Sequence, residues 1–142
     1  MAVVIANRPE NAVGMVGIDS GAGPFIFANG EWDPGSVDKR IFVAQRSVIV
    51  TGITARVTVA GTDGGAVSLQ IRKVPNGTTI TAGTLLHTSS VDLKGSANVN
   101  QVLSLSSTVS DLILDAGDSL ALDFTGVLTS ATGGVTVSMC PR

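Results

Sequence analysis

The fold class is decided by the stretch Leu112-Ile-Leu-Asp-Ala-Gly-Asp-Ser-Leu-Ala-Leu-Asp-Phe-Thr-Gly126, which reads as a strand, a tight turn and a second strand. Its second half alternates Leu120, Leu122 and Phe124 with smaller or polar residues, which is the two-residue period of a strand with one buried face. The segment 115–118 favours a turn, because glycine adopts positive φ at little cost and aspartate hydrogen-bonds nearby amides. We therefore expect one edge of an antiparallel sheet here.

The chain from Arg40 onward continues this pattern, with β-branched residues and turn signals at spacings typical of a sandwich or barrel. The other predicted strands are 41–51 with an irregular step at 45–47, 53–59 with all odd positions inward, 67–71 as its hairpin partner across Gly61–Gly65, 84–93, 101–105 and 135–139. No segment places apolar residues at i, i+3, i+4 and i+7, so essentially no helix is expected. About eight strands joined by turns of mixed length favour an all-β, jelly-roll-like, two-sheet antiparallel sandwich.

The first 39 residues have a different composition from the rest. They contain three of the five prolines and no sustained helix or strand period, and only a short strand around Phe25–Ala28 is expected there. Proline fixes φ and cannot donate a ladder hydrogen bond. The sequence thus predicts an extended N-terminal arm at residues 1–39 and a β-sandwich domain at residues 40–142.

Three aromatic residues stand out in this arm. Phe25, Phe27 and Trp32 lie within eight positions of one another, beside a predicted sandwich that holds only two further phenylalanines. Aromatic side chains dominate interface hot spots, which favours anchors that bind a surface pocket of a partner. The alternative is that the rings fold back over one end of the sandwich. A neighbouring subunit as the recipient would satisfy both interpretations.

Composition excludes several classes of protein. The 142 residues are 44% apolar, 4% aromatic and 14% charged, with a formal net charge of -2. The scattered basic residues lack the footprint of a nucleic-acid-binding protein. No apolar run reaches the length of a membrane span, and the apolar run Ala2–Ala6 is too short and lacks the preceding basic region of a secretory signal, so we expect a soluble protein made in the cytosol. A single cysteine excludes an internal disulfide.

The sequence offers no catalytic, cofactor-binding or metal-binding constellation. His87 is the sole histidine and is expected to be a half-exposed strand residue. Cys140 is expected to be a packing thiol, and turn chemistry accounts for Asp115 and Asp118 without a cation. Both glutamates lie in the arm, so no carboxylate pair suits glycoside hydrolysis. We therefore expect a protein that is not an enzyme.

Four motifs between residues 40 and 142 carry a family resemblance. They are Ile53-Thr-Ala-Arg-Val-Thr-Val-Ala-Gly61 with Thr62-Asp-Gly-Gly65, Leu69-Gln-Ile-Arg-Lys-Val-Pro-Asn-Gly77, Leu114-Asp-Ala-Gly-Asp-Ser-Leu-Ala-Leu-Asp-Phe-Thr-Gly126 and Gly133-Gly-Val-Thr-Val137. In its pattern of strands and turns, this part of the chain resembles the decoration, or cement, proteins on the heads of tailed bacteriophages. The resemblance implies a jelly-roll-like virion protein, often a homotrimer, that binds the outer capsid surface and bridges subunits of the major capsid protein.

Two other functions remain open from the sequence. A phage tail or fibre domain that binds a host receptor is the main alternative, because similar turns between aliphatic strands occur in such domains. A small sandwich enzyme or sugar-binding module is the third possible function. The low aromatic content argues against sugar binding, since sugar faces stack on aromatic rings.

Overall fold

A computed structural model describes residues 25–142, so residues 1–24 of the predicted arm lie outside the described part of the chain. The ten strands, in chain order, are β1 Ile26–Trp32, β2 Lys39–Val43, β3 Val48–Val59, β4 Ser68–Val74, β5 Thr84–Leu85, β6 Val91–Asp92, β7 Asn100–Val102, β8 Ile113–Leu114, β9 Ser119–Thr125 and β10 Thr132–Pro141. A 3-10 turn at Ile80–Ala82 and a one-turn helix, α1, at Val109–Leu112 complete the elements.

The strands form two antiparallel sheets, which confirms the predicted all-β sandwich. Sheet A has the order β1-β10-β3-β7, with β8 also paired to β3. Sheet B has the order β2-β9-β4-β5, with β6 also paired to β4. If β5 and β6 count as one broken strand and β7 and β8 as another, this is the eight-stranded order of a jelly roll, in which all successive strands except β4 and β5 lie in opposite sheets.

The core lies between the inner faces of the two sheets and follows the two-residue period of the strands. In β10, Val135, Val137 and Met139 are buried as predicted, and Cys140 points to the other face. The largest fully buried side chains are Trp32, Ile53, Leu69, Ile71, Leu86, Leu93, Leu114, Leu120, Leu122 and Met139. Because each Å² of buried apolar area contributes about 25 cal/mol, burial of these side chains is the main stabilising contribution to the fold.

The turn at residues 115–118 forms, but it does not join two strands of one sheet. Asp118 donates its backbone N–H to the Asp115 carbonyl, and Gly117 has a φ of 97°. The strand before the turn, β8, pairs with β3 in sheet A, whereas β9 lies between β2 and β4 in sheet B. The predicted sheet edge is therefore wrong, since β9 is an inner strand of sheet B and the turn carries the chain across the sandwich.

Other predicted strands are corrected for the same reason. The run 41–51 is divided between β2 in sheet B and β3 in sheet A, and the irregular step at 45–47 is the crossing. Gly61–Gly65 also joins strands of different sheets, so the predicted hairpin is wrong. Val59 is exposed rather than inward, at the end of β3 where the pairing with β10 shifts register. A jelly roll changes sheet where a meander would turn back, and local sequence does not record the difference.

Residues 84–105 are less regular than predicted. The strand expected at 84–93 is broken between β5 and β6, and the strand expected at 101–105 begins one residue early and ends at Val102. His87, between β5 and β6, forms an isolated bridge with Leu105, which follows β7. Short α1 is the only α-helix within residues 25–142, and the Lys73 ammonium donates to the carbonyls of Ser110 and Ile113 beside it, at 2.7 and 3.0 Å.

Candidate contact surface

The predicted arm contributes strand β1, which pairs along its whole length with β10 and forms one edge of sheet A. The short strand expected at Phe25–Ala28 is therefore present and extends to Trp32. Its even-numbered residues point towards the core and its odd-numbered residues point outward, because strand side chains alternate. Whether residues 1–39 function as a separate unit stays a prediction.

Phe25 and Phe27 lie together on the outside of the molecule. Their side chains are 51% and 60% exposed, and their rings stack with centroids 6.4 Å apart and planes at 28°. A pair of stacked, exposed rings on an edge strand presents apolar surface that water solvates poorly. This pair is a candidate contact site.

Trp32 lies on the opposite face of β1, away from this pair. Its side chain is 1% exposed, and its indole packs edge-on against Phe124, with ring centroids 6.3 Å apart. Within the described residues, Trp32 Nε1 has no hydrogen-bond partner. The indole thus packs in the core of its own chain, and the structure does not bring the three aromatic residues together. The sequence signal for this division is the two-residue period itself, which places Phe25 and Phe27 on one face of the strand and Trp32 on the other.

The outer face of sheet A is a polar surface with a shallow groove. We define this face by the outward residues of β1, β10 and β3, which are Phe27, Asn29, Glu31, Gly134, Thr136, Ser138, Gly52, Thr54 and Arg56. A groove of about 450 Å³ runs over its middle, with Gly134 among the residues that line it. Sequence analysis did not find this face, because β10, the strand that pairs with β1, lies about a hundred residues away in the chain.

Many polar groups of the outer face of sheet A are already paired with one another. Thr136 Oγ1 donates to Asn29 Oδ1 at 2.8 Å. Thr51 Oγ1 donates to Ser138 Oγ at 3.1 Å, and Ser138 Oγ in turn donates to the Gly52 carbonyl at 3.4 Å. Groups that are satisfied within the chain lose little when a partner excludes water from them.

Sheet B carries a buried polar network built around Arg72. Its Nε donates to Asp123 Oδ2 at 2.5 Å, and its two terminal nitrogens donate to the Gly83 carbonyl at 2.7 Å and to Gln70 Oε1 at 2.6 Å. Asp123 is therefore buried in an ion pair, although the alternation in β9 had suggested an outward position with little energetic weight. With its donors directed at three protein acceptors, this arginine has a structural role.

His87 is buried, which corrects the prediction of a half-exposed residue. Its Nε2 accepts the backbone N–H of Ile71 at 2.9 Å, and within the described residues Nδ1 has no hydrogen-bond partner. Burial lowers the pKa of His87 below its ordinary value of 6.5; the Arg72 cation also lowers it, whereas the Ser89 backbone raises it. The ring is thus a neutral acceptor that holds β4 to residues 86–88.

The remaining polar candidates have structural explanations. Asp118 Oδ2 accepts the backbone N–H of Asp115 at 3.0 Å, which is turn chemistry. No group of three His, Cys, Asp or Glu side chains in residues 25–142 is arranged to hold a metal ion. None of the helices in the same part of the chain is long and apolar enough to cross a membrane.

Comparison with known proteins finds similarity in structure rather than in sequence. The sequence matches no protein-family model and no curated protein. A chain of the solved structure "Cyanophage Pam1 capsid asymmetric unit" superposes with a TM-score of 0.54 at 13% sequence identity, over 94% of this chain and 94% of that one. A chain of "Capsid of Ralstonia phage GP4" does so with a TM-score of 0.56 at 12% identity, over 91% of this chain and 92% of that one.

The fold is shared with chains of two phage capsids. Each of these two alignments extends over more than nine-tenths of both compared chains. Identities of 12% and 13% limit the likeness to the fold. No residue of the outer face of sheet A is transferred from these structures.

Proposed function

We propose that this chain is a structural component of a bacteriophage capsid. The observation that carries the proposal is the end-to-end likeness to one chain from each of two phage capsid structures. The sequence resemblance to head decoration proteins was drawn from strand and turn motifs in residues 40–142 and points in the same direction. Neither argument alone assigns a function to a fold, and their agreement is what supports the proposal.

More narrowly, we propose a decoration protein that binds the outer surface of the capsid. Its proposed partner is the major capsid protein, whose subunits it bridges. The chain is synthesised in the host cytoplasm and then lies on the surface of the virion. Burial of apolar area at about 25 cal/mol per Å², repeated over many copies, stabilises a shell without covalent bonds, although association entropy offsets part of each contact. This function is not enzymatic. It also fits the use of Arg72, Asp123 and His87 in structural hydrogen bonds.

The proposed contact residues are Phe25 and Phe27, whose stacked rings are exposed at the edge of sheet A. We do not include Trp32, because its indole is 1% exposed and already packed inside its own chain. Exposed aromatic pairs provide large contact area at low entropic cost, and such residues commonly act as hot spots of an interface. The recipient of these rings is the capsid or a sister subunit.

The expected homotrimer belongs to the same proposal. Copies placed at threefold shell junctions match threefold symmetry, and closed point-group symmetry is usual for homo-oligomers. Sedimentation of the purified chain measures this, with a mass of three chains expected. A single-chain mass throughout the micromolar range would contradict it.

Cryo-microscopy of the native phage particle tests the location directly. We expect density for the sandwich at regular positions on the outer capsid lattice. Particles assembled without the chain should regain this density when the purified chain is added, and a variant that is unfolded by loss of core residue Leu122 serves as the negative control. Density restricted to the tail or fibres would overturn the proposal and support the receptor-binding alternative.

A further inference from the structure

The outer face of sheet A has an internal arrangement of which the proposed function uses only Phe27. Three rows of residues cross it, each with one member on β1, one on β10 and one on β3. The rows are Phe27–Ser138–Gly52, Asn29–Thr136–Thr54 and Glu31–Gly134–Arg56. Strand β10 is the midline of the face, and adjacent strands lie about 4.8 Å apart.

The two sides of this midline are complementary to each other. In the first row, a large exposed ring, Phe27, lies opposite Gly52, which has no side chain. In the third row, the carboxylate of Glu31 lies opposite the guanidinium of Arg56, with Gly134 between them. Within residues 25–142 neither of these charged side chains has an ion-pair partner. The exposed ring and the acid are therefore on β1, and the glycine and the base are on β3.

We propose that a second copy of this chain packs on this face about a twofold axis that runs along β10. The axis is parallel to β10 and lies above the outer face of sheet A. Rotation about it places β1 of the second copy over β3 of the first, and each row of residues over the same row of the other copy. Glu31 of one copy then lies over Arg56 of the second copy, and the reverse pair forms by symmetry. Phe27 of one copy lies over Gly52 of the second, again twice. Such self-complementarity is what an isologous interface requires.

The surface itself favours this occupant over an unrelated partner. An acid and a base placed symmetrically about one axis are matched in charge by a copy of the same face, and complementary charges fix register. The groove of about 450 Å³ gives room for side chains from the second copy, and stacked sheets lie about 10 Å apart. The hydrogen bond between Thr136 and Asn29 remains within one chain, so burial leaves these groups satisfied.

This inference does not depend on the capsid. If copies also form trimers through another surface, the twofold contact joins two trimers, and if they do not, it joins two single chains. In either case the first step of this association doubles the mass. The doubling step is therefore the quantity to measure, and its absence would leave the proposed capsid role unaffected.

Charge reversal provides the test, measured on the full chain by sedimentation equilibrium over the micromolar range at low and moderate salt. Wild-type protein should show the doubling step, weaker at higher salt. E31R brings two arginines together at each pair and R56E brings two glutamates together, so each should weaken the doubling by at least about tenfold. E31R/R56E should recover it. An equimolar mixture of E31R and R56E should also recover it, as a heterodimer in which both pairs are again of opposite charge.

Two controls separate the interface from general effects of charge and folding. D115R and R46E reverse exposed charges away from this face and should leave the doubling unchanged. Glu31 and Arg56 are exposed, so the melting temperatures of E31R and R56E should match that of wild type. Absence of doubling in wild-type protein, or failure of both the double variant and the mixture to recover what the single variants lose, would overturn the proposal.

Discussion

Gly133 of β10 lies against the indole of Trp32 in β1, and a Cβ atom placed on Gly133 would lie 2.5 Å from Cζ2 of that ring and would also clash with the carbonyl oxygen of Arg56 in β3. Gly133→Ala should therefore force the ring or the strand to shift and destabilise the fold by about 1 to 3 kcal/mol. Urea unfolding measures this. Gly64→Ala is the matched control, because a Cβ there meets nothing within 4 Å. Equal midpoints for the two variants would contradict the packing of Trp32.

Removal of the Asp123 carboxylate should be costly, contrary to the expectation from sequence alternation. Asp123→Ala leaves the Nε of the part-buried Arg72 without its acceptor, and we expect a loss of about 2 to 4 kcal/mol in the free energy of unfolding. Asp115→Ala, which removes an exposed turn carboxylate, should cost less than about 0.5 kcal/mol. A comparable small loss for both variants would show that the ion pair contributes little.

Acidification should destabilise the fold through His87. Its pKa is lowered in the folded state, chiefly by burial, so the unfolded chain binds the proton more readily. Stability from this group is complete above pH 6.5 and is lost as the pH falls below that value towards the lowered pKa. Urea unfolding at pH 7.5 and at about pH 5.5 measures the loss, above the range where most carboxylates titrate. His87→Gln can keep an acceptor for the Ile71 N–H and should reduce the loss; an unchanged pH dependence would contradict the assignment.

Two truncations test the boundary of the sandwich. A chain that begins at residue 25 retains all ten strands and should unfold cooperatively. A chain that begins at residue 40 loses β1 and with it Trp32, and loss of a buried tryptophan side chain alone costs about 3 to 5 kcal/mol. We expect this shorter chain to be unfolded or strongly destabilised by thermal circular dichroism. Cooperative unfolding of residues 40–142 at the temperature of the full chain would instead support the predicted division at residue 39.

Phe27 should matter for association more than an equally exposed apolar residue elsewhere. Phe27→Ala removes the ring that is proposed to lie over Gly52 of a second copy, and we expect the doubling step to weaken by about tenfold or more. Val127→Ala, at 61% exposure against 60% for Phe27, is the control and should have no effect. Equal behaviour of the two variants in sedimentation would contradict the assigned contact.

The sequence predicted the class of the fold because strand periodicity is a local property. Leu120 and Leu122 are buried as their spacing indicated, and the turn at Gly117 has the positive φ that glycine suits. Which sheet a strand joins is not local. The same turn residues serve for a hairpin and for a crossing between sheets, so β8 and β9 were assigned to one sheet although they lie in two.

The candidate site was only partly accessible from sequence for a related reason. Composition identified Phe25 and Phe27, but the residues that complete the face, such as Gly52 and Arg56, are brought to them only by the pairing of β1 with β10 and of β10 with β3. Asp123 likewise appeared to be a solvent-facing residue, because its partner Arg72 is 51 positions away in sequence. Long-range pairing decides which polar residues are buried, and the local pattern of residues along one strand does not show it.

The position of β10 between β1 and β3 determines when sheet A can be completed during synthesis of the chain. The strands on either side of it are made early, but neither touches the other in sheet A, so the sheet has a gap until residues 132–141 have emerged. Until then the Trp32 indole lacks its contact with Gly133, and β3 lacks its one long neighbour. Non-local pairing of this kind is slow to form and exposes strand edges in the meantime. A nascent chain should therefore remain open to chaperones and proteases until its last strand has been made, and only completed chains should present the outer face of sheet A to a partner.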